Sequence, residues 1–317
     1  MNIGLNQALK KFSDKQYKEV PMKIVVVGSL NMDYILQVPH IPKEGETILS
    51  TETDTSLGGK GLNQAVAAAR SGAEVSMIGA IGEDEDGKIM KDLLKQEGIN
   101  HEGLDEQPGP SGKAYISIDA KGQNTIIVSP GANFRLTEEW VDGHRGIFKD
   151  ARYCILQMEI QLPVIYSVLR LCREMGVSTI FNPAPVNAAF DRSKLNLVDY
   201  LVVNETELIL LSGGEEDPEK AIAKLRSEGV SSIIYTMGSN GSRFCSANMD
   251  ITIPAYRVKA VDTTAAGDTF IGAFASQFDG SNHAEAMTYA SRAAALAVTR
   301  EGAIGSIPRK GEVDLMA

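Results

Sequence analysis

The segment Val261-Asp262-Thr263-Thr264-Ala265-Ala266-Gly267-Asp268-Thr269-Phe270-Ile271-Gly272 carries the strongest chemical signal in the chain. Small residues precede a helical pattern, so the backbone N–H groups of its first turn stand uncovered. A helix N-terminus carries about half a positive charge and binds phosphate oxygens well. Ala265, Ala266 and Gly267 have no bulk to block a close approach, and Asp268 projects from the same turn. A carboxylate there could accept a proton from an alcohol while the N–H groups hold a transferring phosphoryl group. The plainer alternative is an N-capped helix in which Asp268 only favours the dipole. The small-residue run and a second acid at Asp262 weigh against it.

A second segment, Gly58-Gly59-Lys60-Gly61-Leu62-Asn63-Gln64-Ala65, resembles a phosphate loop but is not a Walker A motif. Position 54 is Asp54 rather than Gly, and Gly61 follows the lysine in place of Ser or Thr. Its glycines could instead allow close backbone approach to a polyhydroxylated ligand, with Lys60 and Asn63 bonding hydroxyls. A Gly-rich turn before an Ala-rich helix would use the same residues. In Gly28-Ser29-Leu30-Asn31-Met32-Asp33, Asn31 and Asp33 could bind vicinal hydroxyls or form a turn. Gln157-Met158-Glu159 ends a strand. Asn204-Glu205-Thr206-Glu207 follows one and opens a helix, and it reads equally as a plain cap. Thr236-Met237-Gly238-Ser239-Asn240-Gly241 follows a strand and could wrap a nucleotide.

These segments need elements to hold them. Residues 23–28 read as a buried strand. Helical patterns follow at 61–70, 84–97, 164–175, 218–227, 267–277 and 284–299. Strand patterns lie between them at 75–81, 153–158, 177–181, 200–203 and 232–236. Repeated strand-then-helix order implies an α/β fold, a mostly parallel central sheet with helices on both faces. In such sheets ligands bind beyond the carboxyl ends of the strands. A hairpin at 114–119 and 125–129, with extended segments at 34–38 and 46–51, does not fit that order. These pieces are expected to form a small β-sheet, a lid from about 32–53 and 112–130, within one domain spanning 22–317.

The 317 residues are 43% hydrophobic and 23% charged, as in a folded globular chain. Lys and Arg number 31 against 41 Asp and Glu, a net charge of −10 that makes nucleic acid a poor partner. No run of about 18 apolar residues exists, so no membrane helix is expected. Residues 1–20 are polar and lack the apolar core of a signal peptide. Residues 1–21 are expected to be a flexible, dispensable extension. Cys154, Cys172 and Cys245 are scattered through apolar segments, which suits reduced thiols in the cytoplasm. No CxxC or HExxH spacing occurs, and the four histidines form no arrangement.

Taken in order from about residue 23 to 308, the segments resemble the ribokinase family within the larger PfkB group of sugar kinases. The two signatures are Gly59 to Ala65 and Asp262 to Phe270. The order of Gly28-Ser-Leu-Asn-Met-Asp, Asn182-Pro-Ala-Pro and Asn204-Glu-Thr-Glu is also ribokinase-like. The resemblance implies that a hydroxyl of D-ribose attacks the γ-phosphate of ATP to give ribose 5-phosphate. It implies Asp268 as general base and Ala265, Ala266 and Gly267 as the anion hole. Asn31, Met32, Asp33, Gly59, Lys60, Gly61, Leu62, Asn63, Glu159 and Asp268 would line the sugar. Asn204, Thr236, Met237, Gly238, Ser239, Asn240, Gly241, Gly267, Asp268 and Ser291 would meet ATP. Glu207 would organise Mg²⁺ through water. Asp262, Thr264, Ala297, Arg300, Gly302 and Ser306 would hold K⁺. A homodimer through the lid is implied as well. Ser291 stands where many relatives have another polar residue or His, and residues before Met22 have no counterpart. A dehydrogenase would need GxGxxG after the first strand, which Gly28-Ser29-Leu30-Asn31 does not supply. A non-catalytic sugar-binding relative would be expected to lack Asp268. Deoxyribokinase and adenosine kinase are the rival substrate assignments, and Asn31-Met32-Asp33 favours ribose.

Overall fold

The computed structural model describes residues 21–316; of the expected extension at 1–21, all but residue 21 lies outside them. β1 (Lys23–Val27) is made of residues that alternate between two hydrophobic cores. Ile24 and Val26 enter one, Val25 and Val27 the other, and none is more than 1% exposed. Full burial of each such side chain contributes about 1.5–3 kcal/mol. A strand buried on both faces requires helices above and below it.

The chain leaves β1 for β2 (Asn31–Val38) and β3 (Glu52–Gly58), then returns through α1 (Lys60–Arg70) to β4 (Glu74–Gly82). It continues through α2 (Glu85–Gln96), β5 (Asn100–Gln107), β6 (Gly112–Asp119), β7 (Asn124–Ser129) and α3 (Glu138–Gly143). The second half runs β8 (Tyr153–Leu156), α4 (Leu162–Met175), β9 (Ser178–Phe181), β10 (Tyr200–Asn204), α5 (Glu205–Leu211), α6 (Pro218–Ser227) and β11 (Ser232–Thr236). Then come β12 (Ser242–Cys245), β13 (Asp250–Ile253), α7 (Ala266–Gln277), α8 (His283–Ala297) and α9 (Lys310–Leu315). Local signals set several ends. Asp217 caps α6 with Pro218 in its first turn, and Gly176 closes α4 in a left-handed conformation.

The main sheet has the order β13-β12-β11-β10-β9-β8-β1-β4-β5. All its pairs are parallel except β11–β12 and β12–β13. β4 adds on one side of β1 and β8 on the other, so the winding reverses at β1. Such a reversal opens a crevice at the carboxyl ends of the strands.

A separate sheet has the order β3-β2-β6-β7. It differs from expectation in one strand. Residues 46–51 are not a strand; the strand is β3, so this part of the sheet extends to Gly58 rather than stopping near 53. Pairing with β2 decides this, because it sets Gly58 opposite Asn31 and delivers the chain directly into α1. The polar, exposed run Glu52 to Thr55 gives no alternating pattern. Tyr34 and Lys113, from β2 and β6, meet Asp86 in the first turn of α2, with Oη–Oδ2 and Nζ–Oδ2 distances of 3.0 and 2.9 Å. β5, β12 and β13 were not expected. β5 and β13 are sheet edges carrying exposed polar residues, so their apolar signal is weak.

α1 and α7 pack almost backbone to backbone. A Cβ added at Gly272 would lie 2.6 Å from both the Ala67 Cβ and the Gln64 carbonyl oxygen. Gly272→Val should therefore destabilise the protein by about 1–3 kcal/mol through overpacking. It should also cut turnover, because the same contact places Asp268. A thermal melt and an activity assay check this; unchanged values for both would show that the helices can part without consequence.

Candidate active site

At the reversal beside β1, the chain leaving each strand supplies polar groups. Gly28 to Asn31 follow β1, Gln157 to Glu159 follow β8, and Asn182 follows β9. Asn204 and Thr236 end β10 and β11 in register. The N-termini of α1 and α7 converge on the same edge. The glycines before α1 serve backbone packing. Gly59 has φ +89°, and a Cβ there would lie 2.8 Å from the Asn31 amide nitrogen. One on Gly61 would lie 2.6 Å from the Ser29 nitrogen. Leu62 N–H bonds the Ser29 carbonyl at 2.9 Å. α1 thus starts against the backbone that leaves β1.

Glu159 joins that contact. Its carboxylate accepts from Ser29 Oγ and, at 3.1 Å, from the Lys60 N–H. An acid at a helix N-terminus is favoured by the dipole. Asn31 is held by Asn133, whose Nδ2 donates to Asn31 Oδ1 at 2.8 Å. Asn133 also pairs with both backbone groups of Leu30. Asp33 lies buried beside these groups, and burial, then the charges of Glu159 and Asp268, push its pKa up to about 7. Met32 and Leu62 are part of a hydrophobic core, with Leu62 fully buried.

Asp268 sits in the first turn of α7, buried. Asn63 Nδ2 donates to its Oδ2 at 3.0 Å, and Gln64 Nε2 to its Oδ1 at 2.8 Å. Gln157 Nε2 donates in turn to Gln64 Oε1 at 2.6 Å. Ala265, the N-cap of α7, adopts φ +57° and offers no side-chain cap. That conformation costs a residue with a Cβ about 1–2 kcal/mol. A Cβ added at Gly267 would meet nothing within 4 Å. The first turn of α7 is therefore open at Gly267, while the Ala266 N–H bonds the Thr263 carbonyl at 3.3 Å. The Asn63 Oδ1 is buried without a partner. Such an atom is expensive unless a ligand satisfies it. Burial would lower the Lys60 pKa, but the charges of Asp268, Glu159 and Glu207 outweigh it and hold the ammonium above its usual range.

Asn204 and Glu207 form a reciprocal capping box on α5. The Glu207 carboxylate accepts from Asn204 N–H at 3.1 Å, Asn204 Nδ2 at 3.0 Å and Asn182 Nδ2 at 3.2 Å. Burial raises its pKa; the Asn204 N–H, Lys60 and Asn182 oppose that rise, and Asp268 adds to it. Thr236 bonds the Val203 carbonyl, and Gly238, Ser239 and Asn240 form an exposed turn closed by Met237 N–H to Gly241 O at 2.8 Å. Ser291 is buried on α8, which packs against β12 and β13.

Asp262 ties the turn before α7 to the chain after α8. Its Oδ1 accepts from Thr264 N–H and Oγ1 at 2.8 and 2.6 Å, and its Oδ2 from Gly302 N–H at 2.9 Å. The Ala297 carbonyl accepts from Arg300 N–H at 3.1 Å, and the buried Ser306 hydroxyl donates to Ala303 O at 2.8 Å. Among the described residues, no three or more His, Cys, Asp or Glu side chains are grouped to hold a metal, and no helix is long and apolar enough to cross a membrane. Cys154, Cys172 and Cys245 are buried free thiols. Gln64, Gln157, Asn133 and the Glu207-holding contact of Asn182 were not anticipated as site features. All but Asn133 had a signal: Gln64 stands beside Asn63, Gln157 lies in the segment that ends at Glu159, and Asn182 opens Asn182-Pro-Ala-Pro.

The model of the pfkB carbohydrate kinases matches residues 22–310. A bifunctional ribokinase/ribose-5-phosphate isomerase A of Fructilactobacillus sanfranciscensis is 42% identical over 91% of this chain, which spans 55% of that protein's length. The ribokinase of Staphylococcus aureus is 37% identical over 92% of this chain and 98% of its own. A deoxyribokinase of Salmonella typhi is also 37% identical, over 90% of this chain and 96% of its own. The structure of Arabidopsis thaliana ribokinase complexed with ribose and ATP superposes with a TM-score of 0.86 at 33% identity, covering 93% of this chain and 98% of that one. The chain belongs to the pfkB family of carbohydrate kinases.

Proposed function

We propose that this protein is an ATP-dependent ribokinase that transfers the γ-phosphoryl group to the 5-hydroxyl of D-ribose. One observation carries the reading: a buried carboxylate, Asp268, stands in the first turn of a helix whose N-terminus no side chain caps. Asp268 takes the hydroxyl proton. The N–H groups of Ala265, Ala266 and Gly267 hold the phosphoryl group as charge moves onto the departing oxygen. Asn31, Asp33, Gly59, Lys60, Gly61, Asn63 and Glu159 hold the sugar, and the unpartnered Asn63 Oδ1 supports a hydroxyl donor there. Met32 and Leu62 act by packing behind them. Asn204, Thr236 to Gly241 and Ser291 hold ATP.

Mg²⁺ bound with ATP supplies charge neutralisation between the β- and γ-phosphates. Glu207, already accepting three hydrogen bonds, suits ordering the ion's waters better than direct ligation. K⁺ suits the oxygens around Asp262. Three of the carboxylate's roughly four acceptor positions are used, leaving room for a weak electrostatic ligand. The carbonyls of Thr264, Ala297, Arg300 and Gly302 and the Ser306 hydroxyl complete a set with a single charge, which favours a monovalent ion over Ca²⁺. The β2–β3–β6–β7 sheet is the lid. Its edge strand β7 exposes Ile126, Ile127 and Val128, an apolar edge that a second copy would cover. The buried free thiols support a reducing compartment, the cytoplasm.

Phosphorylation by ATP of ribose, 2-deoxyribose, fructose and adenosine tests the reading. Ribose should have the highest kcat/KM. A missing 2-hydroxyl leaves buried polar partners unpaired, at about 1–3 kcal/mol, so deoxyribose should be several-fold to 100-fold worse. Asp268→Asn should lower kcat about 10²-fold or more while ribose still binds; near-normal turnover would exclude Asp268 as the base.

Restoring K⁺ at constant ionic strength to enzyme in Tris free of K⁺, NH₄⁺ and Cs⁺ should raise kcat, and Asp262→Ala should abolish the response. A rate indifferent to K⁺ would remove the ion from the account.

Asp33 gives a pH signature in the unliganded protein. Its folded pKa of about 7 lies above the ordinary value of 3.8. Its protonated form therefore contributes stability that is fully present below about pH 4 and is lost as the pH rises through about 7. The melting temperature of Asp33→Asn should gain on that of the parent between pH 5 and 8. A constant difference would mean that Asp33 ionises normally.

A further inference from the structure

Asp268 is reached by a chain of amides that can run in only one direction. Ionised as the base must be, the carboxylate only accepts, so Gln64 must present its NH₂ group to Oδ1, as the 2.8 Å contact shows. The Gln64 carbonyl then faces Gln157, which must present its own NH₂ group, at 2.6 Å. Both glutamines are fully buried. The chain ends at the Gln157 Oε1, which has no partner. That oxygen lies where a Cβ on Gly28 would be, 1.8 Å from the built position, so glycine is needed to admit it. A buried acceptor without a partner is a cost that an apolar pair would avoid. Two buried amides and a glycine are thus committed to presenting one N–H to one oxygen of Asp268. Asn63 reaches the other oxygen and also borders the sugar crevice, so Gln64 is the donor whose contacts lie wholly behind the site.

We propose that Gln64, locked in orientation by Gln157, is a positioning residue for phosphoryl transfer. It fixes the rotation of the Asp268 carboxylate, so that the lone pair taking the hydroxyl proton points into the crevice. This rests on the reading that Asp268 is the base. Rotation of a reacting group out of alignment by a fraction of an ångström to an ångström costs turnover rather than binding.

The test uses the full-length enzyme in a mutant cycle of Gln64→Leu, Asp268→Asn and their combination, with Gln157→Leu alongside. Gln64→Leu should lower kcat by about 10–10²-fold and leave the KM for ribose and for ATP within about threefold. The double variant should be no slower than Asp268→Asn alone, because Gln64 acts only through that carboxylate. Gln157→Leu should lower kcat in the same direction and add nothing to Gln64→Leu. A folded Gln64→Leu with parental kcat, or a loss that multiplies in full onto Asp268→Asn, overturns the positioning role and leaves the base assignment standing. Normal turnover by Asp268→Asn overturns both. Should Gln64→Leu not fold, Gln64→Glu carries the test. The introduced carboxyl donates to Asp268 when protonated and repels it when ionised. Its pH profile should gain a fall in kcat with rising pH that the parent lacks, and a parental profile overturns the proposal.

Discussion

The site depends on one steric contact, the approach of α1 to α7 at Gly272 and Ala67. Neither helix alone makes a centre for chemistry. α1 brings Asn63 and Gln64; α7 brings Asp268 and an open first turn. Side-chain amides are short, so their hydrogen bonds to Asp268 at 3.0 and 2.8 Å require near-contact of the two backbones. Gly272 and the alanines of α1 permit that. Gly59 and Gly61 do the same between α1 and the chain leaving β1, which carries Asn31 and Asp33 into the same crevice.

Close packing of acids creates an electrostatic problem, which the fold divides among unlike solutions. Glu159 is stabilised by the N-terminus of α1 and by the Ser29 hydroxyl. Glu207 accepts three hydrogen bonds at the start of α5. Asp268 takes two amide donors. Asp33 has none of these and responds by holding its proton to about pH 7. Lys60 is the cation among them, and the surrounding acids outweigh the effect of its burial. A polyol, whose hydroxyls both donate and accept, suits this mixture of acids, amides and one ammonium.

Much of this was legible in the sequence. The β-branched run of β1, Pro218 after Asp217, and the glycine stops predict the main elements because local chemistry governs them. Asp268 was legible because the small residues before its helix leave the first-turn N–H groups without a side-chain cap, and an acid placed beside them suggests phosphoryl chemistry. Three features were hidden for physical reasons. β3 is an exposed polar strand whose register comes from β2, so no apolar alternation marks it. Gln157 and Asn133 act across more than ninety residues of chain, and a buried amide looks like an exposed one until its partners are known. The glycines around Lys60 suggest an approach to ligand; that they also admit the backbone of Ser29 to Asn31 depends on a contact between distant segments, which no local pattern marks. Asn204 and Glu207 form the plain capping box, and that same cap holds them at the carboxyl end of β10.

The central claim is that Asp268 and the open first turn of α7 meet the 5-hydroxyl of ribose rather than another oxygen of the sugar or a water molecule. The most direct measurement is the position of the phosphate in the product. Enzyme, ATP and uniformly ¹³C-labelled ribose would be followed by ³¹P and ¹³C NMR. The account predicts one phosphorylated product, with phosphorus coupling to C4 and C5, formed in equal amount to ADP. Phosphate on C1, C2 or C3, or ADP formed with inorganic phosphate and unchanged ribose, would contradict it.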